Sequence, residues 1–484
     1  MQLLHRPFLF VCCVPLLALP VALPVQARET TITGSAEMGY NTTERTYDSD
    51  EQAARQGDAG DDQEIYISPK ITITSKGVRD TLEAFYVFSP NYNFVESTTE
   101  VDHRLHIRND RFLSQKWTLT LSEDFIYTDD PDKEERFSGI KPAEQFDPFV
   151  PSEQPVSDPL SDDLPTRHRY WKNTVGFQTS YATGQHTMLS GGYGFEVLRN
   201  DQGGTGYDEY DKHYFSANMS HSLNASWRTS LGLSYILGLY DDSAKQDTYG
   251  SKDLKQYGGN LGIDYIRSVR DSFPLRYNYS ETSYDDTRRK GTQTHGWSAG
   301  WDHAWSPRTR LAVGAGPSYS KTEGQEGDWG YNGYLTFVRK YQHASLSLQL
   351  EKKFEAENFT GTDESGVKDK KSARVQFSYQ YSPRTSLELF SRYNKDSEIE
   401  PQGIYRIAAE TLRPTAGKTG DSTYDKEEYE FGIGWRYEFI RDWAINTRYV
   451  YSIVDGDLQA DQYTEHQVVF SLSTSKDFWH KDGR

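Results

Sequence analysis

The chain has 484 residues, of which 35% are hydrophobic and 14% aromatic, and its formal net charge is −18 at pH 7. This acidic balance argues against nucleic acid as a partner, because the phosphate backbone attracts basic surfaces. Both cysteines, Cys12 and Cys13, stand in the first apolar run. We therefore expect a mature chain without disulfides, thiolate metal sites or cysteine nucleophiles.

The first 27 residues have the features of a secretory signal peptide. His5 and Arg6 precede an apolar stretch at 7–25, and Val25-Gln26-Ala27 forms a small-residue cleavage site. No later segment has the roughly twenty apolar residues of a transmembrane helix. We expect a signal peptide at 1–27 and one barrel domain at 28–484.

Runs of ten to fifteen residues with alternating apolar and polar side chains follow one another from residue 31 to residue 475. Strands in soluble proteins usually have about five or six residues. Longer strands with one apolar face are typical of a transmembrane β-barrel. The pattern predicts twenty strands, with eighteen or twenty-two as alternatives, at 31–42, 63–75, 80–89, 100–108, 116–126, 167–181, 185–198, 208–221, 226–239, 253–266, 271–284, 292–305, 308–320, 328–340, 343–357, 370–381, 384–396, 426–439, 442–455 and 461–475.

The connections between these strands alternate in length. Short turns follow most even-numbered strands, and longer loops follow the odd ones, the largest being 43–62, 127–166, 240–252, 358–369 and 397–425. Outer-membrane barrels have an even strand number, short periplasmic turns and longer extracellular loops. The alternation predicts an all-β, antiparallel, up-and-down barrel in the cell outer membrane, with both termini periplasmic.

Three turns share a sequence. Trp305-Ser-Pro-Arg-Thr-Arg-Leu and Tyr381-Ser-Pro-Arg-Thr-Ser-Leu each join two strands, and Ala225-Ser-Trp-Arg-Thr-Ser-Leu is a looser copy. Proline presets the backbone for the turn, and an aromatic ring beside it suits a membrane interface. With the alternation, these turns resemble the β-barrel porin family of Gram-negative bacteria, in particular the group associated with exopolysaccharide and exosortase gene neighbourhoods. The resemblance implies an outer-membrane channel.

One wall of the predicted barrel carries candidates for the lining of an aqueous lumen. A ladder of guanidinium groups attracts carboxylate, sulfate or phosphate and guides an anionic solute. The alternative is ordinary cross-strand ion pairing that serves the scaffold. The candidates, on the polar faces of strands 16 to 19, are Arg374, Arg392, Arg436, Arg448, Glu388, Glu430 and Glu438.

Signals of catalysis and of metal binding are weak. The twelve histidines are scattered along the chain, and His103 and His106 lie three apart on a strand, which directs them to opposite faces. The glycine pairs are followed by no helix and so do not form phosphate cradles. We expect no enzyme activity, no cofactor and no metal site.

The long loops offer two further hypotheses. Loop 127–166 contains seven prolines and, because forty residues without secondary structure are unusual, it is expected either to constrict the lumen or to form an adhesive surface. Acidic clusters in the first loop and in the region 129–163 are either solvated tips or sites for divalent cations that bridge to lipopolysaccharide. Outer-membrane lipid and lipopolysaccharide are thus expected partners.

Three functions remain open from the sequence. The leading prediction is a passive outer-membrane channel, either a diffusion porin for polar or anionic solutes or an exit pore for exopolysaccharide that meets a periplasmic export protein. The alternative is a structural or adhesion protein that acts through its acidic extracellular loops. A third is a sheath around a periplasmic electron carrier, although the chain contains no Cys-x-x-Cys-His haem motif.

Overall fold

The computed structural model describes residues 28–47, 62–128, 169–201, 208–241, 251–287, 289–359, 366–398, 424–456 and 462–481. The predicted signal peptide at 1–27 and nearly all of the loop 127–166 lie outside these residues. No helix in the described ranges is long and apolar enough to cross a membrane.

The described residues form twenty strands, each antiparallel to the next. They are β1 (Glu29–Tyr47), β2 (Asp62–Lys76), β3 (Asp80–Asn93), β4 (Thr98–Ser114), β5 (Trp117–Thr128), β6 (Tyr170–Ala182), β7 (Thr187–Asn200), β8 (Tyr210–Asn224), β9 (Trp227–Tyr240), β10 (Leu254–Ile266), β11 (Asp271–Tyr284), β12 (Thr292–Ser306), β13 (Thr309–Thr322), β14 (Asp328–Lys340), β15 (Ala344–Glu357), β16 (Gly366–Ser382), β17 (Thr385–Glu398), β18 (Tyr424–Ile440), β19 (Trp443–Gly456) and β20 (Tyr463–Lys481).

The sheet closes on itself. β1 pairs with β20 from Thr30 opposite Lys481 to Tyr47 opposite Tyr463. Each of the remaining strands, β2 to β19, pairs with the strand before it and the strand after it in the chain. This pairing confirms the predicted up-and-down antiparallel barrel of twenty strands. Closure removes the free edges that an open sheet of this size would expose.

Two of the strands, β11 and β14, have the bounds that the alternation predicts, whereas β16 begins four residues earlier and β20 ends six residues later. In these extensions the alternation of apolar and polar side chains breaks down, since two aromatic residues, Phe478 and Trp479, are adjacent in β20 and two charged residues, Lys368 and Asp369, are adjacent in β16. The sequence pattern therefore ends there, but backbone pairing with the neighbouring strand continues.

The barrel has two unlike ends. At the short-turn end, two residues connect β12 to β13 and β16 to β17. The Oγ atoms of Ser306 and Ser382 accept hydrogen bonds, both 3.2 Å long, from the backbone N–H groups of Arg308 and Arg384. The repeated Ser-Pro-Arg sequence thus satisfies a backbone donor within the turn. The longer connections lie at the opposite end, which we call the long-loop end.

Alternation along each strand separates an apolar outer face from a polar inner face. In β2 the outward isoleucines are from 36% to 49% exposed, and the residues between them line the interior. The outward residues are Ile65, Ile67, Ile71 and Ile73, and the inward ones are Glu64, Tyr66, Ser68 and Lys70. An outer surface of this kind suits hydrocarbon rather than water.

Aromatic side chains form contacts on the outer face near both ends of the barrel. Trp227 contacts Tyr265 towards the short-turn end, with ring centroids 4.9 Å apart, and Tyr393 contacts Tyr429 towards the long-loop end, at 4.8 Å. Rings with a polar atom are favoured where a membrane meets water. The two groups have the placement of aromatic girdles.

Candidate functional site

A cavity of about 1810 Å³ occupies one side of the lumen. Inward-facing residues of β1 to β4 and of β14 to β20 line it. Its walls include all seven lumen residues that the sequence analysis selected, namely Arg374, Glu388, Arg392, Glu430, Arg436, Glu438 and Arg448.

Two arginines stand side by side in this wall. Arg374 of β16 lies directly opposite Arg392 of β17, and Arg392 lies opposite Glu430 of β18. The Nη1 atom of Arg392 is 3.2 Å from Oε2 of Glu430. Like charges at directly opposed positions are unfavourable. The carboxylate of Glu430 offsets part of this repulsion.

A second group lies closer to the short-turn end. The guanidinium carbon of Arg448 is 5.0 Å from the ring centroid of Phe390, a cation–π distance. A side chain at Gly432 would collide with this ring, since its Cβ would come within 2.1 Å of a Phe390 carbon. Nearby, the Nε2 group of Gln376 donates a 2.7 Å hydrogen bond to Oε1 of Glu388.

Arg436 and Glu438 lie nearest to the short-turn end. The Nη1 group of Arg436 donates a 3.0 Å hydrogen bond to Oδ1 of Asn446. Asn446 in turn donates to the hydroxyls of Ser471 and Ser473 at 3.2 and 3.1 Å. The four arginines therefore descend the wall in steps instead of forming a single cluster.

Charged residues that were not predicted as lumen-lining also lie on the wall formed by β1, β2 and β20. Arg45 lies 2.6 Å from Glu465 across the closing seam, and Lys70 stands 4.0 Å from the ring centroid of Phe85. The strict alternation in these strands was the signal that could have revealed them. Along the cavity as a whole, carboxylates outnumber basic side chains, so any preference for anions has to come from the local arrangement on β16 to β19.

The other side of the lumen is packed at the long-loop end. Inward side chains from β5 to β10 form a buried group that we call the aromatic cluster, which consists of Ile126, Tyr170, Leu198, Tyr210, Tyr240 and Leu254 together with Phe359. Phe359 follows β15, which is five strands away from β10 around the barrel. The segment 358–359 therefore crosses part of the lumen.

Several contacts hold Phe359 in the cluster. Its ring is 1% exposed and lies 5.2 Å from the ring of Tyr210, and Nζ of Lys212 is 4.3 Å from its centroid. The hydroxyl of Tyr240 donates to the backbone carbonyl of Asn358. A Cβ at Gly238 would come within 2.8 Å of the Phe359 ring, so this close approach requires glycine.

A narrowing of the lumen was predicted for loop 127–166, most of which lies outside the described residues. In the described residues, the segment after β15 is what reaches into the lumen. No sequence signal identified it, because a phenylalanine in a polar loop has no periodicity to follow. The described ranges also contain no group of three His, Cys, Asp or Glu side chains that could hold a metal ion.

No protein-family model matches the chain, and no curated protein matches it either. Several solved outer-membrane barrels are similar in structure to this chain over most of their length. OccAB3 of Acinetobacter baumannii has 10% identity and a TM-score of 0.42, with 93% of this chain and 99% of that chain covered. The siderophore receptor PirA of Acinetobacter baumannii has 8% identity and a TM-score of 0.47, with 92% and 80% covered. OccK2 (OpdF) of Pseudomonas aeruginosa, solved in complex with glucuronate, has 11% identity and a TM-score of 0.42, with 92% and 98% covered.

Proposed function

We propose that the chain is a passive channel of the Gram-negative outer membrane that conducts small polar solutes and favours anionic ones along the wall of β16 to β19. The observation that carries this proposal is the division of one closed barrel into an apolar outer face and a charged inner cavity. Barrels with sixteen or more strands leave an aqueous channel unless something fills it.

The inward placement of the arginines follows from the cost of the opposite placement. Val375 and Trp435, neighbours of Arg374 and Arg436 in sequence, are about 40% exposed on the outer face. An arginine at such a position would cost about 2–4 kcal/mol near the middle of a bilayer. The same alternation that suits the outer face to lipid therefore makes the lumen polar.

The arrangement on β16 to β19 favours anionic solutes locally. Arg374, Arg392 and Arg448 present guanidinium groups to one cavity, and an anion that passes between the first two relieves their mutual repulsion. A guanidinium binds planar carboxylate oxygens through paired hydrogen bonds. The neighbouring carboxylates keep the wall from binding such a solute so tightly that it cannot leave.

Reversal potentials in a salt gradient test this proposal. The double variant Arg374→Glu/Arg392→Glu should move the reversal potential of the purified channel in a planar bilayer towards cation selectivity. Arg276→Glu is the matched control, because Arg276 is an inward arginine on β11 that lies outside the cavity and pairs with Asp264 at 2.5 Å. Equal shifts for both variants, or none, would exclude the anion path, and absence of any conductance would exclude the channel.

The other hypotheses from the sequence remain predictions. These are polysaccharide export with a periplasmic partner, adhesion through acidic loops, and a sheath for an electron carrier. Periplasmic termini are part of the proposed channel, because they place the long-loop end at the outer leaflet. No contact among the described residues favours one of these functions over the channel.

A further inference from the structure

The outer face repeats one three-ring arrangement four times. In each case Nδ1 of a histidine on an even-numbered strand is within 2.9 Å of the hydroxyl oxygen of a tyrosine on the preceding strand. The four pairs and their distances are Tyr86–His103 at 2.7 Å, Tyr193–His213 at 2.9 Å, Tyr277–His295 at 2.9 Å and Tyr449–His466 at 2.8 Å.

The strand register is the same in all four. The histidine lies diagonally from the tyrosine, and directly opposite a second aromatic residue two positions after that tyrosine. These second rings are Phe88, Phe195, Tyr279 and Tyr451, with centroids 5.5, 5.0, 5.1 and 4.7 Å from the imidazole. Each imidazole is therefore fixed in orientation by one hydrogen bond and at least two ring contacts, one of them with the bonded tyrosine. We call the four histidines the histidine girdle.

In β8, β12 and β20 the histidine girdle lies at one edge of the outward apolar band, whereas on β4 the apolar Val101 extends the band beyond His103. Even-numbered strands begin at the long-loop end, and the histidine is the fourth residue of β8, β12 and β20 and the sixth of β4. The outward residue two positions later is apolar each time: Leu105, Phe215, Trp297 and Val468. The outward residue two positions earlier is polar in β8, β12 and β20: Asp211, Gln293 and Thr464.

The hydrogen bond to tyrosine determines what the other ring nitrogen can do. A neutral imidazole whose Nδ1 accepts a hydrogen bond from the tyrosine hydroxyl carries its own hydrogen on Nε2 and donates there. Within the described residues, Nε2 of the four girdle histidines makes no hydrogen bond. In this tautomer the ring holds a donor at the boundary between the apolar band and the long-loop end.

We propose that the histidine girdle binds the headgroup phosphates of outer-leaflet lipid. This inference rests on the proposed outer-membrane placement, which brings the long-loop end to the outer leaflet. A phosphate oxygen is the strongest acceptor at that depth, since hydrogen bonds to ionised groups are shorter and stronger than those to ester carbonyls. The fixed imidazoles receive the phosphate with little further loss of side-chain freedom.

His→Phe substitutions separate lipid binding from ring packing, because phenylalanine keeps the ring contacts and removes both nitrogens. The quadruple variant H103F/H213F/H295F/H466F should bind bis-phosphorylated lipid A about tenfold more weakly per site than the unmodified barrel, as measured by native mass spectrometry. Dephosphorylated lipid A should bind both proteins equally. If the quadruple variant does not fold, the single variants H213F and H466F are compared in the same way.

His221→Phe is the matched control. This histidine is also outward on β8, but it lies at the short-turn end and bonds Thr187 instead of a tyrosine, with Nδ1 2.7 Å from the hydroxyl oxygen. Binding that is unchanged in the quadruple variant, or reduced equally by His221→Phe, would overturn the proposal. Equal binding of the two lipids by the unmodified barrel would do the same. Conductance is recorded in parallel, so that failure of the lipid site is distinguished from failure of the channel.

Discussion

The two sides of the lumen are built from the same kind of strand and differ in what their inward residues do. On β5 to β10 the inward side chains at the long-loop end are aromatic or aliphatic and close on one another around Phe359. On β16 to β20 most of them are charged or polar, with a few apolar side chains such as Phe390 and Val450 between them, and a cavity of about 1810 Å³ remains between this wall and β1 to β4.

The difference shows that barrel size does not by itself decide how much of a lumen is open. Apolar inward side chains gain by leaving water, at about 25 cal/mol per Å² buried, and here they draw a loop segment across the lumen to complete their contacts. Charged inward side chains lose by leaving water unless they are paired. The chemistry of the inward positions therefore decides which part of the barrel is packed.

The largest effect is expected from removing the ring that completes the packed side. Phe359→Ala should destabilise the closed position of segment 358–359 by about 3–5 kcal/mol, the usual cost of emptying a buried phenylalanine site. Single-channel conductance should rise because the segment no longer crosses the lumen. Phe94→Ala, at a position that is 51% exposed, should leave conductance unchanged. An unaltered conductance in Phe359→Ala would mean that the packed side does not limit the pathway.

A second variant changes the other partner of the same contact, Gly238 on β9. Gly238→Val places a side chain where the Phe359 ring lies and should cost about 1–3 kcal/mol through overpacking, with a similar rise in conductance. Because both changes act on one contact, their effects in the double variant should not add. Fully additive conductance changes would show that Gly238 acts independently of Phe359.

On the charged side, Glu430→Gln should raise the ratio of anion to cation permeability roughly twofold, a typical scale for a partly exposed charge pair. The reason is that Arg392 loses its carboxylate partner beside Arg374. The shift should shrink at 1 M salt, where the Debye length falls to about 3 Å. Glu196→Gln, the same charge change beneath the aromatic cluster, serves as the control and should not move the reversal potential. A shift of equal size at both positions would contradict a local pathway.

The smallest effect is expected from the ring beside Arg448. Phe390→Leu keeps an apolar side chain over Gly432 but removes the cation–π contact, at a cost of about 0.5–2 kcal/mol. We expect a small decrease in resistance to urea unfolding of the barrel in lipid vesicles. Phe431→Leu, on the outer face of β18 and 52% exposed, should cause no comparable change. A larger loss of urea resistance in Phe431→Leu than in Phe390→Leu would indicate that the outer aromatic positions contribute more to stability than the contact with Arg448.

The sequence by itself determined the barrel and the character of each face. A period of two is a local property, so the alternation in β2 or β15 identifies a strand and its inward residues without knowledge of its neighbours. The same alternation gave the strand number and placed Arg374, Arg392, Arg436 and Arg448 on one polar face. The alternation of short and long connections gave the order of the strands around the barrel.

The tertiary structure decided what depends on residues far apart in the chain. The exact opposition of Arg374, Arg392 and Glu430 follows from the register of three strands, which is set by turn geometry and by bulges near the strand ends. The position of Phe359 depends on the space left by Gly238 on a strand more than a hundred residues earlier. Neither is a periodic property, because a contact across the lumen exists only after the sheet has closed.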